Sequence, residues 1–267
     1  MRYLVFGDIH GNVLALDAVL AAAQAREVGA YLCVGDVVGY GPRPLECLER
    51  MLGLQRLGTL AWVAGNHELA LRDEVDLTPY SAEALATLAW TRKRIESHRW
   101  AREFLATAEV SAQVNQSIWL THDSLVDPST GRYHREVHDA KRELICLWRR
   151  EGRVAFYGHT HKMRAEVMRP GEVALVPMVA HEADGRDAEP VVLAIGERGW
   201  IGVGSVGFPT NPQRLAEFVI LDDADPDGWR VEKYAVAYSR DHARQQVHTI
   251  IGAACGEKVA ARIARWR

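Results

Sequence analysis

The chain has 267 residues, 48% hydrophobic and 25% charged, an ordinary globular composition with length for one large domain or two small ones. A net charge of -3 and a pI near 6.4 exclude a global basic field that would gather nucleic acid or anionic lipid. No stretch approaches eighteen apolar residues, the first apolar run is too short for a signal peptide, and Cys33, Cys47, Cys146 and Cys255 form no CxxC pair, so a cytoplasmic protein with reduced thiols is expected.

In chain order, YLVF (3–6) reads as a buried strand, and Val13, Leu16, Ala18, Val19 and Leu20 recur at helical spacing through 12–26. AYLCV (30–34) is a second strand. Leu45, Leu48, Met51 and Leu52 predict a helix that ends before Gly53, and LAWVA (60–64) is a third strand. Residues 81–107 read as one long helical block with Leu85, Leu88, Ile95, Trp100, Phe104 and Leu105 along its apolar stripe. SIWLT (117–121) and VAFY (154–157) are further strands, on either side of a helix over 139–151. From 165 to 237, short alternating runs between Gly, Pro and Asp clusters predict antiparallel hairpins. Residues 241–266 predict a terminal helix with Val259, Ile263 and Trp266 on one face. The order predicts an α/β (α+β) fold of mixed sheets sharing one core and covered by helices.

Five of these strands end in residues that bind metals. YLVFG delivers Asp8 and His10, AYLCVG delivers Asp36, LAWVAG delivers Asn66 and His67, SIWLT delivers His122, and VAFYG delivers His159 and His161. Ligand groups of open α/β sheets gather at the carboxyl ends of strands, where loops carry polar side chains without disturbing the core. One Asp or His after a strand is more often a helix cap or turn residue; five coincident strand ends are hard to obtain by chance. Carboxylates, imidazoles and one amide oxygen suit a borderline divalent ion such as Mn, Fe, Zn or Ni better than Mg or Ca. Seven donors exceed the roughly four that one zinc-like ion takes, whereas two ions sharing a bridging carboxylate would use them all.

The stretches DIHGN, GDVVGYG, GNHE, a lone histidine after a strand, and GHTH, in that order over about residues 3–162, resemble the calcineurin-like metallophosphoesterase superfamily. GSVGFPTN (204–211) is similar to a stretch of its small prokaryotic phosphodiesterase-type members. The resemblance implies a four-layer sandwich in which two packed mixed β-sheets are flanked by helices, as a single domain over 1–267 with a helical cap insertion at about 73–115. It implies that Asp8, His10 and His161 hold one divalent ion, that Asn66, His122 and His159 hold a second, and that Asp36 bridges them. Manganese is the first choice of metal. The implied activity is hydrolysis of a phosphate ester, more readily a diester than a monoester, by in-line attack of a hydroxide held between ions about 3.5–4 Å apart. His67 has no ligand slot left, and the resemblance gives it contact with phosphate and help to the leaving oxygen. The expected partner is a small phosphate ester, nucleotide-derived compounds included; no membrane or nucleic-acid partner is indicated.

Several residues carry two readings. Asn12 contacts phosphate or, in the preferred reading, caps the following helix; Tyr40 lines the substrate pocket or packs. Asp123, where relatives usually have glycine, either repels an anionic substrate or, as favoured here, orients a ligand imidazole. Glu68 replaces the commoner Asp of GNHD, and the arginine expected after the proline of GSVGFPTN is missing, with Arg214 nearby. The basic stretch 91–102 is a solvated face or a positive rim. His134 and His138 read as an exposed pair and His181 as a loop residue. A protein Ser/Thr phosphatase would carry GDxVDRG where this chain has GDVVGYG. A dinucleoside-polyphosphate hydrolase stays open, and a non-catalytic scaffold is disfavoured because all seven donors and His67 are present.

Overall fold

The first apolar run becomes strand β1 (Arg2–Phe6), which is buried on both faces. Leu4 and Phe6 pack towards helices, while Tyr3 and Val5 pack towards a second sheet. A strand covered on both sides has to be continuously apolar, which is why no polar residue interrupts YLVF. The structure is a computed structural model that describes residues 1–128, 137–169, 171–176, 181–182, 190–225 and 228–265, with only the backbone at 137, 138, 181 and 182.

After β1 come α1 (Val13–Gln24), β2 (Ala30–Cys33), α2 (Pro44–Arg56), β3 (Leu60–Trp62), α3 (Asn66–Leu71), α4 (Ala82–Glu96), α5 (Arg99–Leu105), β4 (Ser111–Gln113) and β5 (Ile118–Thr121). Then follow α6 (Val137–Arg149), β6 (Val154–Tyr157), β7 (Met163–Arg169), β8 (Glu172–Val176), β9 (His181–Glu182), β10 (Val191–Ala194) and β11 (Arg198–Val203). The chain continues through β12 (Ala216–Asp222), β13 (Gly228–Val236), α7 (Arg240–Gln246), a π-helical turn (Val247–Gly252), α8 (Ala253–Cys255) and α9 (Glu257–Ala264).

The first sheet has the order β10-β13-β12-β1-β2-β3, with β9 also paired to β13; the second has the order β4-β5-β6-β11-β7-β8. Each is mixed: β1, β2 and β3 run parallel in one, β5, β6 and β11 in the other, and the remaining path neighbours are antiparallel. Val5, Leu32, Leu120, Phe156, Ile201 and Val219 fill the space between the sheets. Helices α1 and α2 cover the outer face of the first sheet, and α6 covers the second through Leu144 and Leu147 against Tyr157 and Trp200. Helix, sheet, sheet, helix is the four-layer sandwich expected, and it brings the carboxyl ends of both parallel blocks to one place.

Three expectations need correction. Helix α2 runs through Gly53 to Arg56, because an exposed glycine costs only about 1 kcal/mol and the apolar face of the helix continues past it. The block 81–107 divides into α4 and α5 at Ser97 and His98, and Leu85 lies on the exposed side of α4. The terminal helix is interrupted by the π turn and again at Gly256, whose φ of +94° suits glycine. β4 was not expected as a strand, and β11, within the hairpins expected over 165–237, pairs antiparallel with β7 but parallel with β6. His134 and Trp266 and the side chains of His138 and His181 lie outside the described residues.

Candidate metal centre

Backbone hydrogen bonds stitch the loops after β1 and β2 together: Asp8 N–H donates to Gly35 O, Ile9 and His10 N–H to Asp36 O, and Gly11 N–H to Val37 O. From the other sheet, His159 N–H donates to Asp8 Oδ1 at 3.1 Å, and Gly158 N–H to His122 O. Within this framework Asp8, His10, Asp36, His159 and His161 all adopt positive φ, between 49° and 60°. Asp and His tolerate the left-handed region better than most residues, yet each such residue costs about 1 kcal/mol or more. Five together approach the net stability of a small domain, so such a set persists only where the surrounding core over-determines it. Strain of this kind collects at functional sites.

The side chains converge. His10 Nε2 and His161 Nε2 lie 3.1 Å apart, and His161 Nε2 is 3.4 Å from Asp8 Oδ1. Asn66 Oδ1 lies 3.1 Å from His122 Nε2 and 3.0 Å from His159 Nδ1. Asp36 Oδ2 sits between the two groups, 3.7 Å from His10 Nε2 and 3.3 Å from His122 Nε2, while its Oδ1 accepts from His67 N–H. Three histidines have their other ring nitrogen against a carbonyl oxygen: Nδ1 of His10 on Val38 O, of His122 on Val34 O and of His161 on Phe208 O. A carbonyl only accepts, so each Nδ1 carries a proton, and the neutral form of each ring, the form that binds a metal, turns an Nε2 lone pair inward.

These contacts fit divalent cations. In their neutral forms His10 and His161 point lone pairs at each other across 3.1 Å, an arrangement that a shared cation relieves. Asp8 Oδ2 is buried without a hydrogen-bond partner, an expensive state for a carboxylate unless it binds a metal. Protein charges alone balance the site unevenly. Burial pushes Asp8 well above the usual carboxylate range. Burial would also raise Asp36, but the His122 and His67 imidazoles outweigh it and hold this carboxyl well below that range. Burial disfavours the charge on His122, yet Asp36 and Asp8 overcome it and push this imidazole up to about 10, whereas burial takes His161 down to about 4.

Supporting residues came to light only in three dimensions. Tyr80 O–H donates to Asn66 O at 2.7 Å and accepts from Asn66 Nδ2 at 3.1 Å, which turns the carboxamide oxygen towards His122 and His159. Tyr80→Phe is therefore expected to weaken the ion held by Asn66 about tenfold, at the low end of outer-contact effects, with the other ion retained. Metal titration of the stripped protein checks this, and unchanged affinity for both ions would remove Tyr80 from that role. Glu68 is fully buried and accepts from the N–H groups of Asp36, Val38 and Gly65. Burial pushes its carboxyl up to about 7. Glu68→Ala leaves three buried donors unpaired and should cost at least about 3 kcal/mol in a denaturant melt, because one orphaned donor costs about 1–3 kcal/mol. A loss below about 1 kcal/mol would mean that the loops hold without this bracket.

Other candidates sort as follows. Asn12 caps α1 by accepting from Ala15 N–H and donates to Gly207 O, so both ends of its amide are engaged away from the cleft. Tyr40 lines the cleft with its ring 5.0 Å from that of His10 and stacked on Phe208 at 5.1 Å. Asp123 accepts from Ser124 N–H, and its charge adds to those that raise His122, but the group against His122 Nδ1 is the Val34 carbonyl. The basic stretch makes local pairs, Arg92 with Asp73 and Arg99 with Glu103, and does not line the cleft. Arg214 donates to Pro209 O.

Residues 1–222 match the family model of the calcineurin-like phosphoesterase superfamily domain. The chain belongs to that superfamily. Membership implies a phosphoric ester hydrolase that works with divalent metal, and the clustered Asp and His residues supply candidate ligands. This calcineurin-like phosphoesterase is 25% identical over 248 residues to protein MJ0912 of Methanocaldococcus jannaschii, covering 91% of this chain and 90% of that protein. It is similar to a metallophosphoesterase from Sphaerobacter thermophilus, with TM-score 0.73, 25% identity and 99% of each chain covered. It shares its fold with protein PH1004 of Pyrococcus horikoshii, with TM-score 0.73, 17% identity and coverage of 98% and 97%. No helix among the described residues is long and apolar enough to cross a membrane.

Proposed function

We propose that the chain hydrolyses phosphodiesters with two divalent ions, manganese in the first instance, held by Asp8, His10 and His161 on one side and by Asn66, His122 and His159 on the other, with Asp36 common to both. The observation that carries this is the position of Asp36 Oδ2, within 3.7 Å of His10 Nε2 and 3.3 Å of His122 Nε2. When bound, such ions supply a nucleophile by lowering the pKa of water and neutralise charge on phosphoryl oxygens.

The chain itself binds and orients. The donors open into a cleft of about 810 Å³, whose wall includes Tyr40, His67, Tyr80 and Phe208. Glu74 and Asp76 stand in the same wall, and among the described residues none that lines it is Lys or Arg. Beyond the ions themselves, the described wall offers no Lys or Arg to the second negative charge that a monoester can carry; a diester carries one. This charge balance supports the preference for a diester. Burial pushes His67 down, so its imidazole is neutral near pH 7 and can donate one N–H to a phosphate oxygen. The segment 74–84 that forms this wall leads into α4, in keeping with a cap over 73–115.

The decisive assay loads the purified protein with manganese and compares bis(p-nitrophenyl) phosphate with p-nitrophenyl phosphate. kcat/KM for the diester should be at least about tenfold higher. The opposite order would make the protein a phosphomonoesterase.

A further inference from the structure

We propose that the metal cleft continues into a second, cationic chamber that takes another phosphate group of the same substrate, so that the ester hydrolysed is phosphorylated at two positions. This rests on the diesterase reading above and narrows its substrate class. The chamber, about 470 Å³, shares Tyr40, Ser81 and Phe208 with the metal cleft, and Arg214, Arg262 and Arg265 stand in its wall. The shared partition is the Tyr40–Phe208 stack, whose rings lie 5.0 Å from His10 and 5.7 Å from His161 on the metal side.

The walls of the two spaces differ in the charged side chains that they carry. Among the described residues, four histidines and the carboxylates Asp36, Glu74 and Asp76, but no Lys or Arg, line the first; three guanidinium groups and one carboxylate, Glu83, line the second. Arg262 pairs with Glu83, but a guanidinium has five N–H donors and retains others for a phosphate. The arginines therefore add a second positive region to one side of the reacting centre, beyond the place of the metal ions. A phosphate on one arm of a diester would be drawn into the arginine chamber and repelled from Glu74 and Asp76. The apolar partition leaves the organic spacer between the two phosphates a flat surface to lie against.

The chamber is also a built element. Phe208 is held from behind by Val247 and Ile251 of the π turn and by Ile263 of α9. π-helical turns are rare and frequently mark functional sites. Arg262 and Arg265 belong to a segment beyond the residues 1–222 that the family match covers, so this specificity is not implied by membership.

Thymidine 5′-(p-nitrophenyl phosphate) and the same compound bearing a 3′-phosphate test the proposal, because they differ only in the second anion. With manganese-loaded protein, kcat/KM should be at least about tenfold higher for the 3′-phosphorylated compound, mainly through KM. Arg262→Gln with Arg265→Gln should bring the ratio near one. Arg265→Gln alone, at the exposed helix end, should lower it about threefold even if the double variant folds poorly. Arg99→Gln, which removes an equal charge from α5, should leave the ratio as it was. A ratio near one in the parent protein, or an unchanged ratio in the chamber variants, would overturn the proposal. So would equal stimulation of the unphosphorylated compound by free inorganic phosphate, which would mark a separate effector site. If neither compound is hydrolysed, the diesterase reading fails, and calorimetry then decides the chamber: thymidine 3′,5′-bisphosphate should bind about tenfold tighter than the 5′-monophosphate, and equal affinities would dispose of it.

Discussion

Asp36→Asn should strip both metal ions together and lower kcat/KM on a diester about a thousandfold. The reason is geometric and electrostatic. Oδ2 faces His10 in one donor group and His122 in the other, while Oδ1 is anchored by His67 N–H at 3.0 Å. Asparagine keeps the shape and, with its carbonyl oxygen towards that anchor, turns an NH₂ at the position both ions would share. It also removes one of the two carboxylates in the seven-donor set, and with it much of the charge that balances two dications. A loss of about 4 kcal/mol in transition-state stabilisation corresponds to about three decades in rate. Metal content after dialysis and turnover measured on the same sample check both halves. Departure of one ion with the other at full occupancy would overturn the bridging assignment.

The difference between Asp36 and Tyr80 shows what was legible beforehand. Asp36, like Asp8 and His122, follows a strand whose continuous apolar sequence is dictated by burial on both faces, so both the strand and the polar residue at its end can be read locally. That covers the first three strands, β5, β6 and all seven candidate donors. Tyr80 orients Asn66 from fourteen residues away across an irregular stretch, and no periodicity marks it. The same holds for the Val34 carbonyl behind His122 and for the three donors gathered by Glu68: a motif shows that Glu68 is present, but only tertiary structure shows what it accepts. The break between α4 and α5 was hidden because apolar residues continue at nearly helical spacing through Ser97 and His98. The arginine chamber could not be read at all, since Tyr40, Phe208 and Arg262 meet only after the C-terminal helices fold back.

His67→Ala should retain two ions and lose about 10²–10⁴ in kcat, the range expected for a group that assists proton transfer or stabilises a leaving oxygen. The ring is buried, lines the cleft and packs 4.8 Å from Tyr40 and 4.9 Å from His10, so its position is fixed by its neighbours. Its Nδ1 is buried without a hydrogen-bond partner. Possible ligand atoms of His67, His10 and Asp36 lie within 4.8 Å of one another, so metal analysis of the variant matters as much as its rate. If an ion leaves with the imidazole, His67 is a ligand and the leaving-group role falls. A second route reaches the same ring without deleting it. Gly39 has φ of +90°, and a Cβ there would stand 2.0 Å from His67 Nδ1, far inside any real contact. Gly39→Ala must therefore displace the imidazole. It should reproduce most of the rate loss with both ions in place, whereas near-normal turnover would show that His67 need not occupy this position for the chemistry.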